Sequence, residues 1–203
     1  ISEEFYERKV TDLDGSERIE GRIENGANTN LKINDFNVFG GRNVVWVDMP
    51  ITMGIEERET SKISRPVEAH KVIELLQEIV RKNPDKSYKV GIMSFYKGQV
   101  ELIKNLLAEK FPDEVLKNIE CNTVDSYQGK EFDIVLLSTT RSNREVEIEK
   151  SLGFIHYSKS RINVALSRAR KLLIVIGDCE TLGRNEVFKH YISYVKENGK
   201  FVN

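Results

Sequence analysis

The chain has 203 residues, of which 39% are hydrophobic and 31% charged, a composition that supports a packed core and excludes wholesale disorder. Its 31 lysines and arginines against 32 aspartates and glutamates leave a net charge of -1, which excludes a uniformly basic nucleic-acid coat but not a local basic patch. The two cysteines and three histidines are too few and too scattered for a disulfide scaffold or a four-cysteine zinc site, so we expect no metal site.

The start of the chain and its apolar runs bear on where the protein works. The chain begins with Ile1, so we expect a piece of a longer chain. No basic segment followed by an apolar one opens it, and no apolar run is long enough to span a membrane. We therefore expect an intracellular protein, cytoplasmic or nuclear, with no membrane partner.

The first predicted element is an irregular lead-in over residues 1–40. This stretch is dense in charged residues and glycines and has no long period, so we expect it to pack on something else or on a sheet edge. Residues 43–48 form an apolar, β-branched run that predicts a buried strand, and residues 50–64 indicate a polar loop. Pro66 then opens a helix, where its missing N–H is harmless, and residues 83–85 end it.

From residue 89 onward, short buried strands alternate with amphipathic helices. The predicted strands are residues 89–94, 119–124, 132–139 and 171–177. The predicted helices are residues 98–111, 161–170 and 186–196, with a turn at 125–129 and a charged loop at 141–150. Strands that alternate with helices form βαβ units with right-handed crossovers, so the predicted fold class is α/β with a mostly parallel sheet.

Three segments combine residues that suit chemistry, and we expect all three at the carboxyl ends of strands, where open α/β sheets place ligands. The first segment, residues 94–99, follows a predicted strand. Ser94, Tyr96 and Gln99 offer a hydroxyl, an aromatic ring and an amide near a helix N-terminus, and these groups suit contacts with phosphates and bases. The alternative is an ordinary strand-to-helix turn, in which such residues are common.

The second segment, residues 122–133, joins two predicted strands and holds hydroxyls, an amide, a glycine and three carboxylates. Such a loop can offer backbone N–H groups to a phosphate and a carboxylate to a sugar hydroxyl. Its Gly129-Lys130 pair is not a Walker A loop, because that motif is G-x-x-x-x-G-K-[ST] and no stretch of the chain supplies it. The alternative is a polar, solvated connection between the strands.

The third segment, residues 161–170, is the most basic part of the chain. Residues 157–171 hold five bases and no acid, inside a chain whose net charge is -1. Arg161 and Arg168 are seven positions apart and share one face of the predicted helix. An arginine held on a rigid helix can stabilise phosphoryl charge in an active site. The alternative is a solvated basic helix face.

Together and in this order, the three segments resemble the second RecA-like domain of superfamily 1 helicases, in the branch of the nonsense-mediated-decay helicase, senataxin and the immunoglobulin-mu-binding helicase. Residues 123–135 resemble motif V, residues 161–170 motif VI and residues 94–99 motif IV. The resemblance implies a RecA-like, mostly parallel sheet flanked by helices over residues 41–203. It also implies that residues 1–40 continue from a first RecA-like domain.

The resemblance also implies roles for single residues. Arg168 corresponds to the arginine finger at the γ-phosphate of ATP and is the expected catalytic residue. Gly129 allows close approach of the backbone to the nucleotide, Glu131 holds the ribose or orders the neighbouring arginine, and Arg161 supports the finger. The expected nucleic-acid-binding residues are Ser94, Tyr96, Thr123, Ser126 and Gln128.

One part of the family's pattern is missing from this sequence. The Walker A lysine, the Walker B acids and the motif III glutamine belong to the first RecA-like domain. We therefore expect ATP and Mg²⁺ to be bound mainly by that domain. The expected partners of this chain are that first domain and single-stranded DNA or RNA. We expect the chain alone to be inactive. Two other readings stay open: a degenerate helicase-like domain that only binds nucleic acid or protein, and an unrelated dinucleotide enzyme, although G-x-G-x-x-G is absent.

Overall fold

The computed structural model describes residues 9–11, 17–19, 42–60, 62–84 and 87–203. The described strands are β1 (Lys9–Thr11), β2 (Glu17–Ile19), β3 (Val44–Asp48), β4 (Glu57–Glu59), β5 (Lys62–Ser64), β6 (Val90–Ser94), β7 (Ile119–Thr123), β8 (Phe132–Ser138), β9 (Ala169–Gly177) and β10 (Lys200–Val202). The described helices are α1 (Pro66–Lys82), α2 (Lys97–Lys110), α3 (Asp113–Leu116), α4 (Ile148–Leu152), α5 (Lys159–Ser167), α6 (Cys179–Leu182) and α7 (Glu186–Asn198). Short 3₁₀ turns cover Ile51–Met53, Val124–Tyr127 and Gly153–Tyr157.

A six-stranded parallel sheet in the order β10-β3-β9-β8-β6-β7 forms the centre of the described chain. Trp46 and Val135 belong to the apolar cluster on one face, together with residues of α5 and α7. Val45 and Ile134 belong to the cluster on the other face, which α1 and α2 cover. Because both faces are covered, the central strands are continuous apolar runs without polar alternation. The predicted α/β fold with a mostly parallel sheet and flanking helices is confirmed.

The predicted polar loop at residues 50–64 is wrong. This stretch holds a 3₁₀ turn and the antiparallel hairpin β4–β5, in which Arg58 pairs with Ile63 and Glu59 with Lys62. The tight connection includes Thr60, whose φ is 54°. These strands are short and carry charged residues, so they show no apolar alternation that a pattern could detect. Backbone pairing in the folded protein, and not residue type, creates the hairpin.

The predicted helix at residues 161–170 is wrong at its carboxyl end. The helix α5 stops at Ser167, Arg168 caps it, and β9 begins at Ala169. Ala169 pairs with Phe132 of β8, and the Phe132 N–H donates to the Arg168 carbonyl at 3.0 Å. Pairing with β8 therefore draws these residues into the sheet. The sequence pattern predicted that Arg161 and Arg168 share one face of this helix. That prediction is wrong, because Arg168 lies past the last helical residue.

Two short segments of the predicted lead-in are described. Residues 9–11 and 17–19 form the antiparallel pair β1–β2, in which Val10 lies opposite Arg18. The rest of residues 1–40 lies outside the described residues, and so does the predicted contact between the lead-in and a sheet edge. The domain boundary at residue 41 stays a prediction.

A buried ion pair ties α1 to the sheet. The side chains of Arg65 and Glu68 are fully buried, and Arg65 Nη1 donates to Glu68 Oε1 at 2.9 Å. The second carboxylate oxygen accepts from Ser138 Oγ at 2.6 Å and from the Thr140 N–H at 2.8 Å. Burial raises the pKa of Glu68, while the guanidinium and these donors oppose the shift. The pair therefore joins the start of α1 to the carboxyl end of β8.

We expect Glu68→Ala to lower the free energy of unfolding by about 3–5 kcal/mol, because it leaves the Arg65 guanidinium buried without its counter-charge. The matched control is Glu74→Ala, which breaks the ion pair between Lys71 and Glu74 in the same helix and at the same sequence spacing. Glu74 is 65% exposed, so its loss should lower the free energy of unfolding by less than about 1 kcal/mol. Urea titrations of both variants test this, and equal losses would contradict it.

Candidate functional site

The candidate site residues lie at two opposite edges of the sheet. The carboxyl edge is where the parallel strands end, and the amino edge is where they begin. Ser94 and Thr123 stand opposite each other at the carboxyl ends of β6 and β7. The chain then returns through the 3₁₀ turn Val124–Tyr127 to the amino end of β8, because β8 runs parallel to β6. Glu131 and Arg168 therefore lie at the amino edge, directly before β8 and β9. The expectation that all three segments stand at carboxyl ends is wrong for residues 129–131 and 168–170.

Arg168 lies at the amino edge with its side chain folded back onto α5. Its Nη2 donates to Ser167 Oγ at 2.7 Å, and its Nε donates to the Val164 carbonyl at 3.2 Å. Its Nη1 donates to the Lys130 carbonyl at 3.4 Å, which links α5 to the turn before β8. A cation at a helix carboxyl end is stabilised by the helix dipole. Every one of these partners is neutral, so a phosphate oxygen could compete for the half-buried guanidinium.

Gly129 and Glu131 flank the same turn. Gly129 has a φ of +81°, and a Cβ built there would meet no atom within 4 Å, so backbone conformation and not crowding favours glycine. Glu131 is exposed and lies 3.8 Å from Arg170, a loose pair in solvent. The structure thus brings Gly129, Glu131 and Arg168 to one open edge.

Arg161 lies at the other end of α5. It is seven positions from Arg168, which is roughly 10 Å along the helix axis at about 1.5 Å per residue. Its Nε donates to Asp125 Oδ1 at 2.7 Å, and its guanidinium lies 5.7 Å from the centre of the Phe154 ring. Asp125 belongs to the 3₁₀ turn that follows β7. Arg161 therefore lies near the carboxyl edge, apart from the other three residues expected to bind ATP.

The expected nucleic-acid contacts divide by burial. Ser126 and Gln128 are exposed, and Thr123 is half-buried with its hydroxyl 3.2 Å from that of Ser126. Ser94 is fully buried, and its hydroxyl lies 3.0 Å from that of Thr140. The side chain of Ser94 therefore shapes the turn and does not reach solvent.

Tyr96 is also buried, and its ring packs on Phe154 with the ring centres 5.0 Å apart. Burial raises the pKa of Tyr96 to about 12, while the neighbouring Arg141 opposes the shift. The ring lines a cleft of about 340 Å³ whose other walls come from the β4–β5 hairpin and the segment 145–154. Tyr96 can therefore meet a ligand only through this cleft.

The sequence pattern does not predict the buried polar cluster that lies under the carboxyl edge. Arg141 Nη1 lies 2.7 Å from Glu56 Oε1, and both side chains are buried. The second carboxylate oxygen of Glu56 accepts from the Ser142 N–H and from Asn143 Nδ2, each at 2.9 Å. The sequence pattern predicts only a charged loop at residues 141–150. The available signal was the position of Arg141, three residues after the end of the buried strand β8.

Groups that could support other chemistry are few in the described part of the chain. No set of three or more histidine, cysteine, aspartate or glutamate residues there could hold a metal ion. None of the described helices is long and apolar enough to cross a membrane. Burial raises the pKa of Cys121 to about 12. Burial also raises the pKa of Cys179 to about 12, with a further contribution from Asp48, whose carboxylate accepts from the thiol at 3.2 Å.

Comparisons with known proteins show that this chain is similar to parts of proteins named helicases. A family described as AAA domain matches residues 1–180. The Arabidopsis thaliana protein named DNA replication ATP-dependent helicase/nuclease JHS1 is 34% identical over 164 residues, which are 80% of this chain and 11% of that protein. Helicase SEN1 of Saccharomyces cerevisiae is 27% identical over 199 residues, 97% of this chain and 8% of that protein. The probable helicase senataxin of Homo sapiens is 30% identical over 150 residues, 73% of this chain and 5% of that protein.

We expect both cysteines to resist a disulfide reagent at pH 8 in the folded protein. Thiolate is the reactive form, and a pKa of about 12 leaves almost none at that pH. In concentrated urea the thiols should return to a pKa of about 8.5 and react at least about 100-fold faster. Stopped-flow absorbance measures both rates. Rapid reaction of a thiol in the native protein would show that burial does not protect it.

Proposed function

The chain belongs to the AAA domain family and is a superfamily 1 helicase domain of the senataxin type, and we propose that it is the second RecA-like motor domain of an ATP-dependent DNA or RNA helicase or translocase. It spans no more than 11% of the length of the three relatives compared, so this activity would belong to a much larger assembly of domains. The observation that carries the proposal is the separation of the two candidate residue sets to opposite edges of one sheet.

We assign the amino edge to the nucleotide. Gly129 leaves open space for an approaching ligand, and Glu131 offers an exposed carboxylate to a ribose hydroxyl. Arg168 bonds to neutral partners at the end of α5, and its guanidinium, once released from them, is a planar fork that can clamp a γ-phosphoryl group. ATP would supply the phosphoryl group whose transfer to water drives the cycle. Mg²⁺ and most ATP contacts are assigned to a first RecA-like domain.

We assign the carboxyl edge to the nucleic acid. Thr123, Ser126 and Gln128 present hydroxyls and an amide there, and all three are at least partly exposed. The buried Ser94 and Tyr96 would act by shaping the neighbouring turn and cleft. The helix α5 connects the two edges, since Arg161 near its start faces the strand side and Arg168 caps its end. Closure of two domains on ATP would withdraw Arg168 from its helix and move this edge relative to the strand.

The alternative function is a degenerate helicase-like domain that only binds nucleic acid or protein. In that case Arg168 would stay bonded to Val164 and Ser167 throughout, as a structural cap of α5. The two functions differ in what the loss of Arg168 would do, so substitutions at this residue separate them.

We expect the 203-residue chain alone to show no ATPase activity above background, with or without single strands. No G-x-x-x-x-G-K-[ST] segment occurs in it, so no phosphate-binding loop holds the nucleotide. A coupled assay for released phosphate measures this. The Arg168→Ala variant serves as the control for contamination, since a contaminating ATPase would be unaffected by it. Turnover that disappears in this variant would contradict the expectation.

In a full-length protein that joins this chain to a phosphate-binding-loop domain, we expect Arg168→Ala and Arg168→Lys to lower the ATPase turnover number by about 10³-fold. Lysine keeps the charge but loses the planar fork, so it should not restore turnover. ATP affinity should change much less, because most ground-state contacts come from the other domain. Steady-state kinetics and nucleotide binding test the two effects separately.

The matched control is Arg81→Ala, which removes an exposed arginine from the surface of α1. Its turnover should equal that of the parent. A folded Arg168→Ala protein that binds ATP and hydrolyses it at the parent rate would show that Arg168 is not an arginine finger. That result would favour the binding-only alternative. An Arg168→Ala protein that unfolds would support a structural cap.

A further inference from the structure

Phe154 is an exposed aromatic ring on a rigid support. The ring is 38% exposed, although it packs on two buried aromatic residues. The centre of the Tyr96 ring lies 5.0 Å away and that of the Phe95 ring 6.4 Å away. Phe95 in turn packs edge-on against Phe188 of α7, so the support reaches into the core. A ring held in this way loses little conformational entropy when a ligand stacks on it.

Arg161 connects this ring to the expected strand path. Its guanidinium lies 5.7 Å from the centre of the Phe154 ring and is anchored by Asp125 at 2.7 Å. Asp125 follows Thr123 by two residues, in the turn that also carries Ser126. A strand that contacts Thr123 and Ser126 would therefore run toward Arg161 and Phe154. The Arg161 side chain is 47% exposed and can meet a phosphate there.

The cleft of about 340 Å³ opens beside the Phe154 ring. Its volume is at the lower end of ligand pockets, which hold about 300–1,000 Å³, so it fits one flat group and not a folded segment. Gly153 forms part of the wall with a φ of +56°, and a Cβ there would come within 3.4 Å of the Tyr96 hydroxyl. That hydroxyl is buried, with the Arg141 guanidinium beside it.

The charges around the cleft favour a neutral ligand. Arg58 and Lys150 line it together with Glu145 and Glu149, and the buried Arg141 is paired with a carboxylate. These charges are balanced, so the cleft does not attract an anion as strongly as a cluster of arginines would. An aromatic wall, a phenolic hydroxyl and a balanced rim suit the flat face and polar edge of a nucleobase.

We propose that an unstacked base of the single strand stacks on Phe154 and enters this cleft, where the Tyr96 hydroxyl bonds to its edge and Arg161 faces the adjoining phosphate. This inference rests on the proposed function, in which a single strand crosses the carboxyl edge. It assigns Arg161 to the nucleic acid and not to ATP. It also gives Tyr96 a contact with the base, through the cleft and not through the outer surface.

The test compares two strands of equal length and charge, an oligothymidylate and an abasic oligodeoxynucleotide, by fluorescence anisotropy at low salt. Stacking on an aromatic side chain should make the thymidylate strand bind about tenfold more tightly. Equal affinity for the two strands would overturn the base platform and leave the proposed function standing. Binding to neither strand would overturn both the platform and the proposed strand contact of this domain.

Substitutions at Phe154 and Tyr157 test where the base binds. Phe154→Leu keeps an apolar contact with Tyr96 but removes the ring face, so it should abolish the preference for thymidylate without changing affinity for the abasic strand. Phe154→Tyr keeps the ring and should retain the preference. Tyr157→Leu is the matched control, since Tyr157 is 71% exposed in the same 3₁₀ turn but does not line the cleft. Loss of the preference in Tyr157→Leu but not in Phe154→Leu would overturn the assignment.

Tyr96→Phe and Arg161→Gln separate the two polar contacts. Removal of the Tyr96 hydroxyl should weaken binding of the thymidylate strand about fivefold and leave the abasic strand unaffected. Arg161→Gln should weaken both strands equally and reduce the salt dependence, because it removes a phosphate contact. Melting temperatures of all variants confirm that they fold. A Tyr96→Phe protein that weakens both strands alike would contradict a contact with the base.

Discussion

The carboxyl edge of the sheet depends on the hydrogen bonds that the buried carboxylate of Glu68 accepts. This carboxylate accepts from Arg65 on one oxygen and from Ser138 and Thr140 on the other. The Thr140 N–H is one of these donors, and Thr140 holds a φ of 74°, which non-glycine residues seldom adopt without surrounding support. Gln99 extends the network, since its amide nitrogen donates to Ser138 and its oxygen accepts from the Arg65 N–H. One buried carboxylate thus joins α1, α2 and β8.

The direction of the parallel strands determines which residues lie at each edge of the sheet. Because β7 and β8 lie on either side of β6 and run parallel to it, the chain between them must cross from one edge to the other. The segment that resembles motif V is therefore divided, with Thr123 at one edge and Glu131 at the opposite edge. The helix α5 spans the same distance, from the Arg161 contact with Asp125 to the Arg168 cap. Two separate connections thus join the two edges, which we propose bind the nucleotide and the strand.

The arginines of the chain illustrate how burial changes the meaning of a charge. Arg65 and Arg141 are fully paired in the interior, where loss of a partner would leave an uncompensated cation. Arg161 pairs with a carboxylate in solvent, and the partners of Arg168 among the described residues are neutral groups. An anionic ligand can compete for the last two at small cost, because neither depends on a buried counter-charge. Of these four arginines, Arg161 and Arg168 are therefore the two that we propose contact anionic ligands.

The sequence alone determined the α/β class, the alternation of buried strands and helices, and the resemblance of motifs V and VI, because these depend on local apolar runs and on residue order. It could not show that Arg168 leaves the helix, since that depends on Phe132 of a distant strand. Nor could it show that Ser94, Arg65 and Arg141 are buried or that Arg161 meets Asp125. Those facts follow from which segments become neighbours, and long-range pairing leaves no periodic signature in the chain. Only the tertiary structure decided which polar residues face solvent and which hold the sheet together.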